Sequence, residues 1–104
     1  MRTLEFLVSD QRLRKNPECD FSGIVAGSIG HLKAVFSFSE NWGDCKKAAS
    51  FWVDDHEYPV LLEDDSCVIP KEALTGEMFK VSVMGAKPDY KITTNKVKVR
   101  QEVQ

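Results

Sequence analysis

Apolar side chains return at every second position in this chain, in short bursts, and nowhere hold helical spacing for long. Leu4, Phe6 and Val8 alternate with polar neighbours, and Leu32, Ala34, Phe36 and Phe38 stand opposite His31, Lys33, Val35 and Ser37. Phe79, Val81 and Val83 repeat the pattern, followed by Ile92 and then by Val97 and Val99. Successive residues of a strand face opposite ways, so each burst predicts a half-buried strand. No amphipathic helix longer than about two turns is expected, where globular helices average about 11–12 residues.

The intervals sharpen this reading. Asp10 to Ser22 is polar, carries Asn16-Pro17, and reads as a loop; Gly23 to Ser28 reads as a short strand or an irregular connection. Ala48 to Val53 is apolar enough for a strand covered on both faces. Asp54-Asp55-His56-Glu57 is a charged turn, and Pro59 marks an edge or a strand start. Val60-Leu61-Leu62 and Cys67-Val68-Ile69 flank Glu63-Asp64-Asp65-Ser66, which reads as a hairpin turn. Pro70 to Leu74 allows one helical turn with Pro70 in its first position, stopped by Thr75-Gly76. The expectation is an all-β antiparallel sandwich of seven or eight strands with at most one helical turn.

The 104 residues suit a single domain over residues 1–104. A net charge of −2 gives no overall drive toward nucleic acid or acidic membranes, and neither is expected as a partner. The first residues lack the long apolar run of a signal peptide, which implies synthesis and folding in a cytoplasm. Cys19, Cys45 and Cys67 form no CxxC pair and read as reduced thiols.

Catalytic and metal chemistry find little purchase. Cys19, His31, Cys45, His56 and Cys67 are too widely spaced for a structural zinc site, whose ligands pair within one turn. The acidic segments Asp54-Asp55-His56-Glu57 and Glu63-Asp64-Asp65 raise the question of calcium between adjacent loops, but lack the alternating ligands and glycine of a calcium loop; solvated turns are the plain reading. No signature frames a nucleophile with a base and an orienting acid. The chain reads as no enzyme, with no cofactor.

Charge is segregated along the sequence. Asp54, Asp55, Glu57, Glu63, Asp64, Asp65 and Glu72 stand against Lys71 alone, while Lys87, Lys91, Lys96, Lys98 and Arg100 stand against Asp89. Lys96, Lys98 and Arg100 share one strand face. Solvated faces are the plain reading; oppositely charged patches meeting between subunits is the functional one. Trp42, in a polar loop after Phe36 and Phe38, has two readings as well. Either Gly43 lets the chain fold the ring back as a core cap, its Nε1–H needing a partner, or Trp42 is a carbohydrate platform, with Tyr58 or Tyr90 beside it.

Several pieces occur in a familiar order. Phe36-Ser37-Phe38-Ser39-Glu40-Asn41-Trp42 precedes Lys47-Ala48-Ala49-Ser50-Phe51, then Cys67-Val68-Ile69-Pro70-Lys71-Glu72-Ala73-Leu74, then Phe79-Lys80-Val81-Ser82-Val83-Met84-Gly85, with Thr93-Thr94-Asn95 before the last strand. Over residues 32–99 this resembles a module of tailed-bacteriophage virion proteins, the N-terminal immunoglobulin-like domain of phage baseplate upper proteins. The resemblance implies a docking sandwich of a tail or baseplate, or a capsid decoration, present in multiple copies among other virion proteins. It implies scaffold roles for Phe36, Phe38, Trp42, Phe51, Ile69, Pro70 and Leu74, with Leu74 plugging one end. The helical, fibrous and receptor-binding parts that follow in those longer proteins are not expected here, where the chain reaches Gln104 soon after the module.

Overall fold

The period-two bursts become strands in the computed structural model, which describes residues 1–103. Nine are present there: β1 (Arg2–Ser9), β2 (Arg12–Lys15), β3 (Leu32–Phe38), β4 (Lys46–Val53), β5 (His56–Leu61), β6 (Ser66–Val68), β7 (Met78–Lys87), β8 (Tyr90–Thr93) and β9 (Val97–Arg100). They form two sheets, a four-stranded one in the order β2-β1-β3-β6 and a five-stranded one in the order β5-β4-β7-β8, with β9 also beside β7. Two 3-10 turns, Glu40–Trp42 and Lys71–Leu74, close the gaps. Pro70 stands just outside the second turn, in extended backbone, rather than in its first position.

The all-β class holds, and the details depart from expectation in three places. The sandwich is not antiparallel throughout: β1 and β3 pair in parallel from Arg2↔Leu32 to Val8↔Phe38. A parallel pair needs a long crossover, and β2 with the loop to Gly30 supplies it. The polar stretch after Asp10 contains β2, whose Leu13 is buried against the core while Arg12 and Arg14 face out. Finally, Glu63 to Ser66 is not a hairpin within one sheet. β5 pairs with β4, and β6 with β3, so this turn carries the chain from one sheet to the other. Glu63 and Ser66 hold it by exchanging backbone hydrogen bonds, both 3.0 Å.

One buried cluster takes inner residues from both sheets: Leu4, Phe6, Ala34 and Phe36 from one, Ala49, Phe51, Val81 and Val83 from the other. Phe6 and Phe36 stack across the parallel pair with ring centroids 5.2 Å apart, and Phe51 meets Phe79 at 6.0 Å. β4 is buried on its inner face, while Ala48 and Trp52 on its outer face stay partly exposed. Pro59 lies on β5, an edge strand, where a missing N–H is tolerated.

The turns have a shared chemistry. All the non-glycine residues with left-handed backbone among the described residues are aspartates: Asp10, Asp44, Asp54, Asp64, Asp65 and Asp89. Aspartate tolerates that region because its short carboxylate bonds locally. Asp64 and Asp65, with φ of 50° and 58°, have the two successive positive φ values of a tight two-residue turn. Much of the acidic character between Asp54 and Asp65 is therefore turn-forming.

Candidate docking surfaces

Trp42 belongs to the core. Its side chain is 0% exposed, and its Nε1–H donates to the carbonyl of Asp10 at 2.8 Å, in the turn between β1 and β2. Phe38 packs on the ring at 5.0 Å between centroids, and the Lys47 ammonium lies 4.7 Å from the Phe38 centroid. A ring with no exposed area offers no stacking surface, so the carbohydrate-platform reading of Trp42 is overturned. The glycine that admits the ring is not Gly43, whose φ is −59°. It is Gly85 near the end of β7: a Cβ there would lie 2.9 Å from the Trp42 ring. Asp44, in left-handed backbone at φ 64°, turns the chain toward β4.

The other signature residues also pack. Phe36, Phe51, Ile69 and Leu74 are buried, while Phe38 and Pro70 are partly so. Leu74 sits just before β7 begins and Trp42 beside its far end, so the two plug opposite ends of the sandwich. Gly27 N–H donates to the Leu74 carbonyl at 2.7 Å, tying the glycine-rich loop over that end. Gln101 does the same work from below: buried, it donates through Nε2 to the carbonyls of Ala73 and Gly76 at 3.2 and 3.0 Å.

The acidic residues do not converge. Asp54 and Asp55 lie between β4 and β5 at one end, Asp64 and Asp65 at the other, roughly 20–25 Å apart along the strand at about 3.3 Å per residue. Calcium between adjacent loops is not a geometry this fold allows. Asp65 instead pairs with Lys47 at 2.9 Å, the one salt bridge among the described residues. No three His, Cys, Asp or Glu side chains among those residues gather as a metal site requires.

The basic strand lands beside an aromatic that sequence order conceals. Lys98 and Arg100 are exposed on the outer face of β9, paired across β7 with Lys80 and Met78. Lys96, just before β9, places its ammonium 3.7 Å from the ring centroid of Trp52 on β4, whose Nε1–H donates to the Ser82 hydroxyl at 3.0 Å. Along one cross-strand row the outer face thus reads Glu57, Trp52, Lys80, Lys98. Lys80 and Lys98 sit directly opposite each other with no carboxylate in ion-pair range, an arrangement that is destabilising on its own. Trp52 was legible only as one more apolar residue of β4; its cationic neighbours, Lys80 on β7 and Lys96 just before β9, stand 28 and 44 positions away.

The larger surface depressions flank this sheet. One, of about 610 Å³, is bordered by Trp52, Asp54, Asp55, Glu77 and Lys80; another, of about 470 Å³, by Lys47, Leu61, Asp64 and Asp65. Both are open and carry no catalytic grouping. All three cysteines are free, and burial pushes the Cys67 thiol up to about 11, far from the thiolate a nucleophile needs.

Comparison with known proteins found no match to any protein family, to any curated protein or to any solved structure.

Proposed function

We propose that this chain is a non-enzymatic structural protein of a tailed-bacteriophage or prophage particle, an immunoglobulin-like docking module of the tail or baseplate or a capsid decoration. The reading rests on the resemblance of the ordered motifs to those of phage baseplate upper proteins. The observation that supports it best is the task those motifs perform. Phe36, Trp42, Phe51, Ile69 and Leu74 are all given over to closing a small sandwich, which frees its faces and edges for contact. On this reading the protein works by repeated protein–protein docking in the virion, after synthesis in the host cytoplasm, with other virion proteins as partners. Mass spectrometry of purified particles tests it: the polypeptide is expected in the particle in multiple copies, and particles lacking it would overturn the assignment.

A further inference from the structure

The outer face of the five-stranded sheet has no covering layer within the chain, and its composition is uneven. Leu61, Ala48 and Met84 form one apolar cross-strand row, Leu61 75% exposed and the other two partly so, while Trp52, under the Lys96 ammonium, and Met78, 36% exposed, lie toward the opposite end. Asp55, in the turn before β5, and Glu57, on β5, border the face on one side, and Lys98 and Arg100 on β9 on the other, with Lys80 between. Ser50 donates its hydroxyl proton to Glu57, which fixes that carboxylate on the outer face. The face therefore runs from acid to base across the strands at its Trp52 end, and carries an apolar row at its Leu61 end.

We infer that this face is a self-complementary interface, on which two copies of the chain pack about a two-fold axis parallel to the strands. Such an axis lays β5 of one copy over β9 of the other, twice by symmetry. Each Glu57 and Asp55 then meets the Lys98 edge of the opposite copy. The Lys80–Lys98 pair, which has no carboxylate partner among the described residues, gains carboxylates from the opposite copy. A two-fold axis across the strands would place acid on acid, so the charge order selects one arrangement. Aligned sheets pack about 10 Å apart, a spacing that lets Leu61 of each copy reach over the Ala48–Met84 row of the other. The inference stands on the face alone: a dimer in solution would survive the failure of the virion assignment, and particle incorporation would survive a monomer.

Sedimentation equilibrium of the full chain at low and high salt tests it. The wild type is expected to pass from monomer to dimer as concentration rises, more weakly at high salt. Two reversal variants, K80E/K98E and D55K/E57K, should each weaken self-association on the order of a hundredfold or more, since like charges then face one another. Mixed in equal amounts they should dimerise again, because each supplies the charges the other has lost. Circular dichroism checks that both fold. If either does not, Leu61→Glu, at an already exposed site, serves as the second variant and should likewise yield monomers. A wild type monomeric at every concentration, an open-ended oligomer, or a dimer indifferent to both reversals and to Leu61→Glu would overturn the inference.

Discussion

Trp42 shows how one residue's environment decides between two readings of its side chain. A tryptophan flanked by Asn41 and Gly43 has the look of a binding loop, yet its ring is fully enclosed and its indole N–H is satisfied by Asp10. Trp42→Ala should therefore cost about 3–5 kcal/mol in chemical denaturation, as large buried aromatics do; a loss below about 1 kcal/mol would be a surface value. Gly85→Ala should destabilise by about 1–3 kcal/mol through overpacking against the same ring. Of this pair only the tryptophan was legible, because nothing local marks Gly85 as its seat. Cys67 carries a pH signature. Burial raises its thiol from 9.0 to about 11, so the folded state holds that proton more tightly than the unfolded chain. Its contribution is complete below about pH 9 and is lost as pH climbs toward 11. A thiol reagent at neutral pH should modify Cys19 and Cys45, both partly exposed, well before Cys67.

At the level of elements, the strands that alternate apolar and polar residues could be read from sequence, and those defined by their neighbours could not. β1, β3 and β7 announce themselves because one face of each is buried. β2, with sequence RLRK, has a single apolar residue and exists because β1 pairs with one side of it and Asn95 with the other. The Asn95 side chain accepts from Leu13 N–H at 2.7 Å and donates to the Leu13 carbonyl at 3.0 Å, standing in for a missing strand. Asn95→Ala should cost about 1–3 kcal/mol by stranding these groups, and the Leu13 amide should exchange faster with solvent. Unchanged protection at Leu13 would contradict the edge-capping role. The parallel β1–β3 pairing and the sheet crossing at Glu63–Ser66 were out of reach for the same reason, since both are decisions about distant partners. The candidate surface shared that fate: Lys96, Lys98 and Arg100 were visible as a stripe, whereas Trp52 and Lys80 joined them only through the register of β4, β7 and β9.

At the scale of the whole molecule, the core consumes the aromatic signature, and the outer surface is left with segregated charge and the outer face of the five-stranded sheet. A scaffold of 45 × 29 × 21 Å with its motif residues inside is suited to being repeated and docked. This is the sense in which the proposed virion module would account for the chain. The proposal is most directly exposed to a reconstruction of the parent phage particle by electron cryo-microscopy. Density for this sandwich, with Trp42 and Leu74 at its two ends and recurring at symmetry-related positions of tail, baseplate or capsid, is the predicted result. A complete particle map in which every density is accounted for by other chains would contradict it.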